Sequence, residues 1–155
     1  MKERAGMMQR ADGNTPPEVF AALAELEKIT ITGEGWSEES FRSEAEKETG
    51  YVLYIAGEAG IAALLTGYYA VGEGDITNVA VHPDFRRKGL AQQLIAGFER
   101  LLPDDAQEIF LEVRESNLSA ISLYEKCGFE HLAVRKNFYS DPRENAVVMK
   151  KNIND

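Results

Sequence analysis

Asn78-Val79-Ala80-Val81-His82-Pro83-Asp84-Phe85-Arg86-Arg87-Lys88-Gly89-Leu90-Ala91 runs from a strand-like apolar segment, past a proline, through three adjacent cations and a glycine. Pro83 has no amide hydrogen to give a ladder, so the strand over Asp75 to His82 stops there. Beyond it, Leu90, Leu94, Ile95, Phe98, Leu101 and Leu102 fall on one stripe, which predicts a helix over Gly89 to Leu102 ended by Pro103. A helix start carries unpaired amide hydrogens and the positive end of the macrodipole. Arg86, Arg87 and Lys88 at that point therefore predict a site for a polyanionic phosphate ester, with Gly89 and the small Ala91 leaving phosphate oxygens room at the backbone. A tripeptide of cations alone reads first as a solvated turn, since charge runs are common.

Working outward, Tyr51 to Ala56 and Ile61 to Ala70 have strand character and flank Gly57-Glu58-Ala59-Gly60, a hairpin; Gly72-Glu73-Gly74 is a second turn. Upstream, Gly6 to Ala11 is a candidate edge strand and Asp12-Gly13-Asn14 a turn. Thr15 is the expected cap of a helix that begins at Pro16 and Pro17 and carries Val19, Phe20, Leu23, Leu26 and Ile29 at helical spacing. Gly33 to Trp36 reads as a loop, and Ser37, with Glu38 and Glu39 in the first turn, opens a helix expected to run to Gly50. Downstream, Gln107 to Arg114 alternates, with Ile109, Leu111 and Val113 on one face and Phe110, Glu112 and Arg114 on the other. Asn117 caps a helix over Leu118 to Cys127, with Gly128 at its left-handed end. Phe129 to Asn137 and Asn145 to Lys150 close the chain as strands around a loop holding Asp141-Pro142. This order predicts one α/β (α+β) domain over residues 1–155 with a mixed sheet.

Composition bounds the rest. With 17 basic and 26 acidic side chains the net charge is −9, which disfavours delocalised nucleic-acid binding and draws in basic peptides. One cysteine, Cys127, excludes an internal disulfide, and no apolar run approaches the roughly 20 residues of a membrane span. The expectation is a cytoplasmic protein with no membrane partner. His82 and His131 lack partners at metal-ligand spacing, so no metal is expected.

Arg86-x-x-Gly89-x-Ala91 resembles the acetyl-coenzyme A pyrophosphate loop of the GNAT superfamily of N-acetyltransferases. Asn78 to Pro83, Leu111-Glu112-Val113-Arg114-Glu115-Ser116-Asn117 and Ala120 to Phe129 extend the likeness to its RimI branch, the ribosomal-protein N-terminal alanine acetyltransferases. Trp36 to Phe41 and Arg135-Lys136-Asn137-Phe138-Tyr139 are similar to that branch's substrate-side elements. The resemblance implies a mostly antiparallel central sheet flanked by helices, acetyl-coenzyme A as co-substrate, and a protein N-terminus as acceptor, the N-terminal alanine of a small-subunit ribosomal protein. A monomer or weak homo-oligomer is the expected state, which the sequence itself does not fix.

The same resemblance assigns roles. Arg86, Arg87, Lys88, Gly89, Leu90 and Ala91 hold the pyrophosphate; Val79, Ala80 and Val81 meet the pantetheine arm through backbone groups, Val81 being the first choice to steady an oxyanion. Glu112 is carried over as the general base; from the residues alone it reads first as a half-exposed strand residue pairing with Arg114 or a neighbour. Tyr124 is carried over as the general acid, and Asn117, two helical turns before it, as a coenzyme A contact besides its capping role. Phe138 and Tyr139, placed in the loop between the last strands, hold the peptide, with Trp36 as the opposite wall. Many relatives have two tyrosines at 138 and 139, so Phe138 lacks one hydroxyl. Two other readings fit the same residues: an acceptor that is a lysine side chain or small amine, and a non-catalytic acyl-coenzyme A-binding module.

Overall fold

A computed structural model of the chain describes residues 6–30 and 35–153. The described residues form β1 (Met8–Arg10), α1 (Pro17–Thr30), α2 (Glu38–Glu46), β2 (Gly50–Gly57), β3 (Gly60–Ala70) and β4 (Glu73–Val81). A single 3-10 turn, Pro83–Phe85, then precedes α3 (Leu90–Leu101), β5 (Glu108–Arg114), α4 (Leu118–Lys126), β6 (Glu130–Ser140) and β7 (Arg143–Asn152). The strands make one sheet in the order β1-β2-β3-β4-β5-β7-β6, antiparallel throughout except for the β4–β5 pair. This is the mixed, mostly antiparallel sheet expected.

Strand alternation sorts the side chains into two cores. Tyr51, Leu53 and Ile55 face α3 and α4, where Phe98 is fully buried and meets Tyr51 edge-on at 5.2 Å between ring centroids. Val52, Tyr54 and Leu64 face α1 and α2, against Phe20, Leu23 and Phe41. The molecule is thus helices on both faces of a sheet.

Several local expectations shift. Thr15 does not cap α1: its Oγ1 accepts the Asp12 amide at 2.8 Å, tightening the preceding turn instead. Ser37 does cap α2, accepting the Ser40 amide at 3.1 Å, but the helix ends at Glu46. Gly50 opens β2, at a spot where a Cβ would lie 2.2 Å from the Glu44 carbonyl oxygen, so no other residue fits that close crossing. The β3–β4 turn is Val71-Gly72, both with positive φ. The closing hairpin is longer than its apolar pattern suggested: β6 runs to Ser140, which moves Phe138 and Tyr139 from a loop onto the strand. The loop expected over residues 33–36 falls partly outside the described residues.

Candidate active site

The site originates in a change of pairing. β4 follows β3 as far as Val81↔Ala63, yet it pairs with β5 only from Glu73↔Glu108 to Ile76↔Leu111. At that limit the β3 register shifts from Gly67↔Ile76 to Thr66↔Asn78, leaving Thr77 as an extra residue on β4. A bulge of this kind bends and twists its strand. β5 meanwhile stays with β7 through Arg114↔Ala146. Beyond Ile76 and Leu111, β4 and β5 therefore part, and a wedge opens inside the sheet.

Ladder alternation decides which groups face the wedge. The His82 amide donates to Ala62 of β3 at 2.8 Å, so the even-numbered residues here point at β3. The amides and carbonyls of Val79 and Val81 point the other way, into the opening, whereas Ala80, also expected at the pantetheine arm, turns its backbone groups to β3 and buries its side chain against the α1–α2 core, so it offers the opening neither. The Val81 carbonyl accepts Arg86 Nε at 3.4 Å, which ties the cationic loop to the strand end. That loop turns through positive φ at Arg87 (64°) and Gly89 (78°), and Gly89 heads α3 with no side-chain cap. Arg86, Arg87 and Lys88 are exposed, while Leu90 and Ala91 are buried, anchoring the helix start so that its first amides stay open. His82 caps the 3-10 turn by accepting the Asp84 amide at Nδ1, 3.1 Å, a structural role.

Glu112 and Tyr124 approach the wedge from opposite faces. Glu112 lies half-buried on the face turned to α1 and α2, in a cleft of about 620 Å³ that also has Tyr68, Asp75, Arg135 and Phe138 in its walls. Among the described residues its carboxylate has no hydrogen bond or ion pair. The expected alternative partner, Arg114, is committed elsewhere: to the Pro142 and Asp141 carbonyls at 2.9 and 3.1 Å, to Glu144 at 3.2 Å, and over the Tyr139 ring at 4.3 Å. Tyr124 belongs to the α3–α4 core, edge-on to Phe129 at 6.1 Å, and burial pushes its phenol up to about 12. Tyr139 links the two. Burial and then the charge of Glu112 raise its phenol, and Tyr139 in turn is the second cause of the rise at Tyr124. Its ring meets Phe138 edge-on at 5.0 Å.

The other assigned residues are dispersed around this wedge. Asn117 Oδ1 accepts the Ala120 amide at 3.2 Å, so the cap exists. Trp36 leans on Phe41 at 5.3 Å on the α1–α2 side, and Cys127 is partly buried with its thiol raised by that burial.

Two residues of the cleft have no sequence motif. Asp75 sits opposite Phe110 in the parallel register, which puts it on the Glu112 face, where Tyr68 hydrogen-bonds to it. Burial, and after it the negative charge of Glu112, raise its carboxyl above the usual range. The folded protein thus holds this proton to higher pH than the unfolded chain does. Its contribution to stability is greatest in acid and declines as pH rises through the raised value. Asp75→Asn is accordingly expected to raise the thermal midpoint at pH 7 by about 1–3 °C, with the gain disappearing below about pH 4 in paired melting curves.

A wedge between parallel strands thus has a cationic helix start at one end and, among the described residues, an unpaired carboxylate at the other, an arrangement suited to group transfer from an extended, phosphorylated donor. A model of the Acetyltransferase (GNAT) family matches residues 20–129, and the chain belongs to that family, the acetyl-coenzyme A-dependent acetyltransferases. It is 36% identical over 118 residues to the [ribosomal protein bS18]-alanine N-acetyltransferase of Escherichia coli K12, covering 74% of this chain and 78% of that one. It is 42% identical over 73 residues to an N-alpha-acetyltransferase of Saccharolobus solfataricus, 46% of this chain and 44% of that protein. The crystal structure of the ribosomal-protein-S18-alanine N-acetyltransferase from Escherichia coli superimposes with a TM-score of 0.77 at 29% identity, covering 95% of this chain and 94% of the other.

Proposed function

We propose that the protein transfers acetyl from acetyl-coenzyme A to the α-amino group of a protein N-terminus, the acceptor being the N-terminal alanine of a ribosomal protein of the bS18 type. The parting of β4 and β5 carries this reading. A pantetheine arm has two amides, and the amide and carbonyl of Val79 turned into the wedge offer it strand-like pairing, with the Val81 amide left for the reacting carbonyl. The pyrophosphate then lies at the start of α3, held by the open amides of Gly89, Leu90 and Ala91 with Arg86, Arg87 and Lys88 around it.

The reaction needs a neutral amine, an aligned thioester and a proton for sulfur. The amine nitrogen attacks the thioester carbonyl carbon, and the carbon–sulfur bond breaks as the amide forms. Glu112 takes the amine's proton, directly or through a water, and the Val81 amide steadies the oxyanion. Tyr124 gives a hydrogen bond to the departing sulfur, which leaves as a thiolate and takes its proton from solvent while Glu112 releases the amine's proton there. Burial holds the phenol near 12, well above a thiol at roughly 8.5, so hydrogen-bond donation to a thiolate rather than complete proton transfer is the favoured role. Phe138 and Tyr139 on β6 and Trp36 across the cleft flank the incoming chain.

The test is incubation of the purified protein and acetyl-coenzyme A with peptides varying in their first two residues, followed by mass spectrometry. Acetylation of free α-amines, strongest on alanine, is the expected result. Preference for lysine in peptides with a blocked N-terminus, or no product at all, overturns the proposal. The phosphate contact has its own test. A Cβ at Gly89 would meet only Gln92 Oε1, at 3.5 Å, so Gly89→Ala strains φ without a clash. It should raise KM for acetyl-coenzyme A about tenfold, with saturating kcat nearly unchanged and about 1 kcal/mol of stability lost. An unchanged KM would place the phosphates elsewhere.

A further inference from the structure

Glu27 stands on α1 within the core-facing stripe of Phe20, Leu23 and Leu26, and it is 1% exposed. Among the described residues it has no ion pair. One carboxylate oxygen accepts Asn78 Nδ2 at 2.7 Å; the other accepts the Trp36 amide at 2.9 Å. A buried carboxylate satisfied only by neutral donors is costly, and apolar replacements of buried charged groups are often neutral or stabilising. Packing alone does not call for a glutamate here.

Its two partners are the informative part. Asn78 immediately precedes Val79, whose amide faces the wedge. Trp36 immediately precedes the α2 cap Ser37 and lines a hollow that meets the Glu112 cleft at Tyr68 and Thr77. One side chain therefore fixes the far wall of the groove to the donor strand. We infer that Glu27 is a positioning residue that seats Trp36 for acceptor binding. The inference rests on the acceptor reading proposed above.

Glu27→Leu cuts both ties. Glu27→Gln keeps both, because the Asn78 amide can turn over and accept from the new Nε2 while Oε1 still accepts the Trp36 amide. The leucine variant should raise KM for an alanine-first peptide about tenfold, with kcat and KM for acetyl-coenzyme A within about twofold, and the glutamine variant should match wild type. Trp36 is the chain's single tryptophan, so acrylamide quenching of its fluorescence reads the seat without any acceptor. Quenching should rise in the leucine variant and not in the glutamine one. Unchanged quenching, or altered quenching with unchanged peptide KM, overturns the inference. Should the leucine variant fail to fold, Asn78→Ala cuts only the tie to β4 and should move both readouts the same way by a smaller factor. Wild-type protein that acetylates no peptide overturns the acceptor reading itself, and quenching then decides the Trp36 seat alone.

Discussion

Glu112→Gln is expected to lower kcat by roughly 10²–10³ at pH 7 while leaving the fold intact. The side chain has no ion pair or hydrogen bond to lose among the described residues, and glutamine fills the same volume in the cleft. What it loses is the capacity to accept a proton. At pH 7 an α-amine of pKa roughly 7.7–8.0 is neutral in about a tenth of molecules, whereas a lysine amine near 10.4 is neutral in fewer than about one in a thousand. A base that receives the proton of an amine titrating just above neutrality therefore predicts a particular pH signature. The deficit of the glutamine variant should narrow by at most about tenfold as pH rises past 8, the share due to amine arriving protonated, and the rest should persist because even a neutral amine sheds a proton as the amide forms. Steady-state kinetics from pH 6 to 9.5 with an alanine-first peptide measure this directly. A variant with near-wild-type kcat at pH 7 would remove Glu112 from the chemistry and leave it as an ordinary strand residue.

The split between what could and could not be read from the chain follows from the range of each signal. The helix after Pro83, the alternation over Ile109 to Val113, and the Asn117 and Ser37 caps are local patterns, and each forms where its pattern lies. Glu112 and the Arg86–Ala91 loop stand out as candidates in the sequence because both sit in short contiguous motifs. Thr15 failed as a cap because a nearer donor, the Asp12 amide, competes for its hydroxyl within the turn. β6 was cut short because its apolar alternation breaks at Lys136 and Asn137, where the register with β7 shifts and the strand resumes beyond. The wedge itself had no local signal: it depends on where a bulge at Thr77 falls relative to the end of the β4–β5 pairing. Asp75 becomes part of the cleft only through that pairing. Glu27 did leave a trace, an acidic residue one turn after Leu23 on the apolar stripe of α1, but its partners lie on β4 and at the start of α2.

Tyr124→Phe separates catalysis from packing more sharply than any other change in the site. The ring is 8% exposed and packs against Phe129, contacts that phenylalanine preserves, and the hydroxyl makes no hydrogen bond among the described residues. Removing it breaks no internal bond, so the thermal midpoint should stay within about 2 °C of wild type. If the hydroxyl supports the departing sulfur, kcat should nonetheless fall by roughly 10²-fold, with KM for acetyl-coenzyme A little changed. A phenol that is only core predicts no change in either quantity. The pH profile supplies an independent check. Because burial holds this group near 12, the neutral form persists throughout the assay range. The acid is needed protonated, so its ionisation would lower the rate as pH rises, yet only above about pH 11. Wild-type kcat should therefore show no descending limb between pH 8 and pH 10. A limb in that interval that disappears in the phenylalanine variant would mean that bound cofactor lowers the phenol's pKa, and full proton transfer to sulfur would then replace hydrogen-bond donation as the role of Tyr124.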